Sequence, residues 1–406
     1  MIQACGVSVG RRKRSYLSLF SGCGGLDLGF HRNNFRCAGA FEMCPAAAET
    51  YRANLGGNIH VGDLSERKPS EFPQADVVIA GPPCQGFSTA GKRNPDDPRN
   101  SLLLSPVRVG IATGAKVVVI ENVVGVNTGK HARYWSEATA LLASSGYRVS
   151  DVKCNALDFG VPQQRQRYIL LAWNTGFDGQ IELPQRQSPT LRRALTGAGR
   201  LPNHFPVWLD PGSDDEKISK RIRQHQKLSN VRVSERAVHT WQIPEVFGRT
   251  NKLERQTLTA LLRLRRRNRQ RDFGDADPVK CRSLSAELGK PASSILRVLI
   301  LKGYVRRLDA GYDLAHTFNG KFRRLSWDHP ASTVDTRFGN PRYFLHPVEN
   351  RGLSVREAAR IQGFPDNFTF YGSMSEQFRM VGNAVPPPLA DSIACFVKDK
   401  LLKRAN

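Results

Sequence analysis

Tyr16-Leu17-Ser18-Leu19-Phe20-Ser21-Gly22-Cys23-Gly24-Gly25-Leu26-Asp27 decides how the chain is read. A short apolar run of β-forming residues breaks into a glycine-rich turn, and a helical pattern begins directly after it. Glycines at that point let the backbone approach a ligand closely, and the carboxyl edge of a parallel sheet supplies the crevice. Such turns serve many nucleotides, and some are merely turns. Two acids narrow the choice. Glu42 ends the next β-rich run, placed to bind a ribose diol, and Asp63 in Gly62-Asp63-Leu64 follows as an adenine or ribose partner. A glycine turn followed by such acids suits an adenosine-bearing cofactor. No lysine follows the glycines as it does in a phosphate loop, which argues against a triphosphate.

Outward from this turn, strands are expected at 16–20, 37–42, 77–80, 117–121 and 168–173, alternating with longer amphipathic stretches. That alternation predicts βαβ units, hence an α/β fold on a parallel sheet with a Rossmann-like order. After Trp173 the pattern turns to Pro, Gly, Arg and polar residues until about Leu325, which reads as a second, smaller and more irregular domain. Within it, 253–271 is a basic helix. The segments 283–288 and 292–302, joined by a Gly-Lys-Pro turn, have the apolar spacing of a helix-turn-helix, and 306–314 would form the wing of a winged-helix insertion. A purely structural three-helix insert accounts for the pattern nearly as well. The arginine-rich run from Arg263 onward tips the reading to DNA contact. Amphipathic helices are expected again at 354–362 and 387–402. The expected division is a basic tail (1–14), a first domain that carries the glycine turn (15–175), a second domain (176–350, with the insert at 253–314), and a C-terminal segment (351–406).

The chain has 406 residues, with 60 Lys and Arg against 36 Asp and Glu, a formal charge of +24 that favours a polyanionic partner. Its eight cysteines are scattered, with no CxxC pair and no Cys/His cluster at zinc spacing, so a reduced, metal-free interior is expected. No stretch is apolar enough to span a bilayer and no signal-type h-region is found, giving the expectation of a soluble cytoplasmic, nucleoid-associated protein without membrane contact. The run Arg11-Arg12-Lys13-Arg14 has no specific role assigned.

Three further motifs carry chemistry. In Ala80-Gly81-Pro82-Pro83-Cys84-Gln85-Gly86-Phe87-Ser88, prolines stiffen a strand-end loop and present Cys84. A lone cysteine is more often a small buried hydrophobe, a reading that fits poorly beside prolines and glycines. As a nucleophile its thiol would need a positive or water-excluded setting to ionise. In Val118-Val119-Ile120-Glu121-Asn122-Val123 an apolar strand ends in a carboxylate, costly unless it is paired or protonated. A raised pKa would let Glu121 donate to a heterocycle, whereas a helix-capping acid is the plainer alternative. In Gln163-Gln164-Arg165-Gln166-Arg167, Arg165 and Arg167 alternate along an extended chain and face one side; two surface arginines on an edge strand would look the same.

Taken in order, Phe20-Ser21-Gly22-Cys23-Gly24-Gly25, Glu42, Gly62-Asp63, Pro82-Pro83-Cys84-Gln85, Glu121-Asn122-Val123, Gln163-x-Arg165-x-Arg167, Arg360-Ile361-Gln362-Gly363-Phe364-Pro365 and Gly382-Asn383-Ala384-Val385-Pro386 resemble the DNA (cytosine-5) methyltransferase family. The resemblance implies S-adenosylmethionine as cofactor, lined by Phe20, Gly22, Gly24, Glu42, Met43, Asp63, Pro83, Leu102 and Asn383. It implies Cys84 as the nucleophile on C6 of a flipped cytosine, Glu121 at N3 and the exocyclic amine, and Arg167, supported by Arg165, at the O2 side. Gln85, Ser88, Arg263, Arg265, Arg266 and Arg267 are expected at the DNA. The partner implied is double-stranded DNA, bound by a monomer, with a cognate restriction endonuclease as a further candidate. A tRNA cytosine methyltransferase shares this chemistry, and a DNA-binding regulator could reuse the scaffold. An amino-methylating enzyme would carry a Pro-Pro-Tyr or Pro-Pro-Phe motif where this chain has Pro82-Pro83-Cys84.

Overall fold

The computed structural model describes residues 13–83, 98–129, 132–267, 269–270 and 276–403. The chain forms two compact units: residues up to 204 with 330–336 and 355 onward, and residues 205–329 with 337–354.

The first unit is built on a seven-stranded sheet in the order β3-β2-β1-β4-β5-β8-β6. Its strands are β1 (Ser15–Leu19), β2 (Arg36–Glu42), β3 (Ile59–Val61), β4 (Val77–Ala80), β5 (Val117–Val123), β6 (Arg148–Asn155) and β8 (Gln166–Trp173). A two-residue strand, β7 (Gln163–Gln164), pairs separately with Ala331–Ser332. Helices α1 (Gly25–Arg32), α2 (Pro45–Leu55), α3 (Ser105–Ala112), α4 (Ala132–Ser144) and α5 (Leu191–Leu195) connect and cover it. β1 and β4 are buried along their whole length, which is why β4 reads as an unbroken apolar run and β1 carries only two small serines among its apolar residues: a sheet covered on both faces needs no polar alternation.

From β1 the chain builds outward through β2 to β3, then crosses to β4 and continues to β5 on the other side. The order therefore reverses between β1 and β4, where an open α/β sheet places its ligand. The glycine turn after β1 and the Pro82-Pro83 loop after β4 share that switch point. The sheet is not wholly parallel, however. β8 runs antiparallel to both β5 and β6, so the expectation of a parallel sheet holds only for the first five strands. The connection from β6 to β8 is short, and antiparallel strands need no helical crossover. β3 and β6 had no expected counterpart: β3 is three residues long, and β6, an edge strand with mostly exposed or half-buried side chains, has no apolar run to betray it.

Three C-terminal helices belong to this unit: α11 (Val355–Gln362), α12 (Met374–Asn383) and α13 (Pro387–Phe396). α13 lies against α1, and Leu389, Ile393 and Phe396 share an apolar core with Tyr16 and Phe30. The approach is close: a Cβ on Gly29 would stand 2.5 Å from the Ala390 carbonyl oxygen and the Asp391 nitrogen, so only glycine fits. Asn33 adds a 2.7 Å hydrogen bond to the Asp391 carboxylate. The last segment of the chain is thereby fixed beside the first glycine turn.

The second unit contains α6 (Asp214–Arg221), β9 (Lys227–Ser229), β10 (Ala237–Val238), α7 (Pro244–Phe247), α8 (Lys252–Arg267), α9 (Cys281–Leu288), α10 (Ser293–Leu301), β11 (Val305–Leu308), β12 (Gly311–Leu314) and β13 (Asn319–Lys321). α8, α9, α10 and the β11-β12 hairpin enclose a core of Leu258, Leu261, Leu284, Leu296, Leu299 and Tyr304. β9, β10 and β13 form a small three-stranded sheet over a second core that includes Ile218, Leu228 and Phe322. Among the described residues, no helix is long and apolar enough to cross a membrane and no His, Cys, Asp and Glu grouping could hold a metal ion. The described cysteines are all free thiols.

Candidate functional site

The glycine turn is a strained backbone held by one carboxylate. Phe20 takes φ +54°, rare for a residue with a side chain, and Gly22 follows at +55°. Glu42, at the end of β2, accepts the Gly22 backbone N–H at 2.9 Å through one oxygen and that of Cys44 at 2.8 Å through the other. The acid expected to meet a ribose thus also ties the turn to the beginning of α2. Gly24 is the left-handed N-cap of α1, and a side chain there would collide with Leu55.

Beyond the turn lies a cavity of about 550 Å³. Phe20, Gly22, Glu42, Met43, Asp63, Pro83, Leu102 and Asn383 all line it, drawn together from positions far apart in sequence. Gly24 does not line it; its part is to shape the turn. Met43 is largely exposed within this wall, an apolar side chain left without a packing partner. Asp63 accepts the Ser65 N–H and hydroxyl, both at 2.8 Å, and these bonds hold its carboxyl below the usual range.

The same cavity reaches Gly81, Pro82, Pro83, Glu121, Arg165 and Arg167. Glu121 and Arg167, on neighbouring strands β5 and β8, form an ion pair at 2.7 Å, with only about a tenth of each side chain exposed. Of the two ways to bury the Glu121 carboxylate, the structure uses pairing. Among the described residues no donor is aligned as a hydrogen bond to Glu121 Oε1, which lies buried beside the Arg167 guanidinium. Asn122 donates to the Pro82 carbonyl at 3.3 Å and so holds the proline loop against β5. Cys84, Gln85 and Ser88 lie outside the described residues.

Arg165 acts differently from Arg167. It is almost wholly buried, and its guanidinium donates to the carbonyls of Val334, Gly382 and Ala384 at 2.9 to 3.0 Å. Gln163 donates to the Ile361 carbonyl and accepts from the Val334 N–H, while Gln362 donates to the carbonyls of Val381 and Ala384. This buried polar knot fixes the turn that carries Asn383 into the cavity wall. Replacing Arg165 by alanine would take this donor from the buried carbonyls of Val334 and Gly382, while Ala384 keeps Gln362, and a loss of at least about 2 kcal/mol in unfolding free energy is expected. Urea denaturation of the variant measures it; full stability with lost turnover would instead mean that Arg165 contacts substrate.

Asp27, Glu376 and Arg379 also line the cavity and were not singled out from sequence. Asp27 is fully buried and accepts the Tyr51 hydroxyl at 2.9 Å; burial pushes its carboxyl up to about 7. Glu376 had a legible signal, since Ser373-x-x-Glu376 is a capping box and forms one at the start of α12. Its nearness to the cavity depends on where α12 packs, which local sequence does not encode.

The arginines expected at DNA separate into distinct groups. Arg263 is exposed and Arg266 half-buried. Arg267 pairs with Glu287 at 2.6 Å on the surface. Arg265 is corrected: it is buried, ion-paired with Asp313 of β12, and unavailable to a phosphate. On an amphipathic helix the charge run necessarily turns one of its members inward.

Comparison with known proteins agrees with this architecture. The profile of the C-5 cytosine-specific DNA methylases matches residues 15–398. The chain is similar to the type II methyltransferase M1.HphI of Haemophilus parahaemolyticus, 31% identical over 94% of this chain and 85% of the relative. It is also similar to the type II methyltransferase M.XorII of Xanthomonas oryzae pv. oryzae, 30% identical over 96% of this chain and 85% of that one. A solved structure of a prophage-encoded candidate DNA modification methyltransferase from E. coli shares the fold, with a TM-score of 0.58 at 23% identity, over 96% of this chain and all of that one. With the family profile matched from the first strand through α13, this chain belongs to the C-5 cytosine-specific DNA methylase family.

Proposed function

We propose that the enzyme transfers a methyl group from S-adenosylmethionine to C5 of a cytosine flipped out of a specific duplex sequence, through a covalent adduct with Cys84. The observation that carries this reading is the single cavity that joins the glycine turn, Glu42 and Asp63 at one end to Pro83, Glu121 and Arg167 at the other. Its volume, about 550 Å³, suits a nucleoside-sized ligand. The donor set also fits: Glu42 and Asp63 for the sugar and adenine edges, Phe20, Met43 and Leu102 for an apolar wall, and Asn383 to close it. When bound, the cofactor supplies a methyl group on a sulfonium.

C5 of cytosine is too electron-poor to accept that methyl unaided. The Cys84 thiolate adds to C6, the ring electrons move to make C5 an enamine-like carbon, and C5 takes the methyl. Loss of the C5 proton then expels the thiolate and restores the ring. Glu121 holds N3 and the exocyclic amine while charge shifts, and Arg167 orients Glu121 and faces O2. The base must leave the stack for the thiolate to reach its face, at a cost of a few kcal/mol. The net charge of +24 favours the phosphate contacts that offset this.

α9, α10 and the β11-β12 hairpin are read as a winged helix that approaches DNA, with Arg263, Arg266 and Arg267 on the preceding helix beside it. By analogy with the type II methyltransferases it resembles, the enzyme protects a recognition sequence from a cognate endonuclease. Purified enzyme, labelled cofactor and plasmid DNA test the reading. Methyl incorporation into duplex DNA, mapped by bisulfite sequencing to one short sequence, is expected. Transfer to tRNA with none to DNA would overturn it.

A further inference from the structure

The second unit holds a crowd of cations for which the reaction gives no reason. Lys227 on β9 pairs with Ala237 of β10, and its N–H donates to the Arg236 carbonyl at 2.9 Å. Arg232 and Arg236 stand exposed at the two ends of the turn that joins these strands. On the other side of β9, Gly320 of β13 sits at φ +87°. A Cβ there would lie 3.2 Å from Arg323 Nη2, 3.2 Å from Lys227 Cδ and 3.5 Å from Lys227 Nζ. The absence of a side chain at Gly320 therefore lets two cationic groups border the same point. Nearby, Arg236 Nη2 is 3.4 Å from His225 Nδ1, and the His225 ring stacks on His329 with centroids 4.0 Å apart.

Among the described residues, no carboxylate pairs with Lys227, Arg232 or Arg236, although ion pairs are frequent elsewhere in this unit, as at Arg221–Glu245, Arg267–Glu287 and Arg342–Asp215. Partial burial and the guanidinium groups of Arg323, Arg236 and Arg232 hold the Lys227 ammonium below its usual range. Like charges packed together destabilise the protein that carries them, a cost removed when an anion sits among them. The groups are long, partly exposed cations spread over a strand, a turn and an adjoining strand, which suits the spaced charges of a nucleic-acid backbone.

We propose that Lys227, Arg232 and Arg236 form a phosphate clamp that grips the backbone of duplex DNA without reading its sequence. The proposal rests on duplex DNA being the substrate. Its role is to hold the duplex in register while other groups select the cytosine, so its effect is uniform across sequences.

The test is equilibrium binding of the full chain to two fluorescent duplexes, one carrying the methylated sequence and one lacking it, across 50 to 200 mM salt, for wild type and for R232A/R236A. Each lost phosphate contact lowers the salt slope by about 0.9. The double variant should therefore bind both duplexes more weakly by the same factor, and its deficit should shrink about tenfold over that salt range. Its melting temperature at low salt should equal or exceed that of wild type, because mutually repelling charges have been removed. An unchanged salt slope, or a loss confined to the cognate duplex, would overturn the clamp. So would wild-type binding to a structured RNA in preference to both duplexes. Methylation of the cognate duplex by wild type, assayed in parallel, separates the two ideas: its absence defeats the substrate reading, whereas the clamp is decided by the slope.

Discussion

Cys84→Ser should lose turnover by at least about 10⁴-fold while cofactor binding is unchanged, because serine keeps the shape of the nucleophile and removes its acidity. A hydroxyl at neutral pH presents almost no anion, and an alkoxide is a poor group to expel in the final step. The residues just before Cys84 are held in place: Asn122 donates to the Pro82 carbonyl, and Pro83 lines the cavity that Glu121 and Arg167 also line. The binding side of that cavity is held separately, by Glu42 across the glycine turn, so a change at Cys84 need not disturb it. Single-turnover methyl transfer measures the first expectation and calorimetric titration with S-adenosylhomocysteine the second. Duplex DNA with 5-fluorocytosine at the target gives an independent readout, since fluorine at C5 blocks the elimination that would free the thiol. Wild type should be trapped covalently and the serine variant should not. Substantial turnover by the variant, or an adduct at another residue, would remove Cys84 from the mechanism.

What was legible in the sequence followed from burial on both faces. β4 is a four-residue strand, yet its ends were placed correctly, because an unbroken Val-Val-Ile-Ala run between polar neighbours has few other uses. β6 is twice as long and was missed, since an edge strand facing solvent carries Arg148, Asp151 and Lys153 and shows no apolar period. The reversed direction of β8 was equally hidden: apolar content reports that a strand is buried, not which way it runs. At the site, residue types were informative and partners were not. Glu121 required a partner or a proton, and only the register between β5 and β8, with Asn122 opposite Tyr168 and Val123 opposite Arg167, supplies Arg167 as that partner. Arg165 and Arg167 looked equivalent by alternation. Their roles differ because the segment that returns at 382–384 offers its carbonyls to Arg165 and not to Arg167. Arg265 was misplaced for a related reason, since its partner Asp313 arrives from a hairpin nearly fifty positions later.

Glu121→Gln should lower turnover by about 10²- to 10⁴-fold, the range associated with losing a positioned proton donor or acceptor. Glutamine can still accept from the exocyclic amine, but its amide cannot exchange a proton with N3 as charge moves through the ring. The substitution has a second effect that must be separated from the first. It leaves the Arg167 guanidinium, about 10% exposed, without its carboxylate, and breaking a buried pair from one side costs about 3 to 5 kcal/mol. Arg167 keeps a 2.7 Å bond to the Gln166 carbonyl, which places the expected loss at the lower end of that range. A turnover defect in the single variant could therefore arise from chemistry or from a displaced β5 end. The double variant Glu121→Gln, Arg167→Met removes the structural effect, because replacing a buried pair by neutral groups of similar volume is often neutral for stability. Denaturation should show the double variant close to wild type, while single-turnover methyl transfer remains depressed at least as far as in Glu121→Gln. Recovery of turnover together with stability would mean that the carboxylate serves only to neutralise Arg167, and the proton-handling role assigned to Glu121 would have to move to another group lining the cavity.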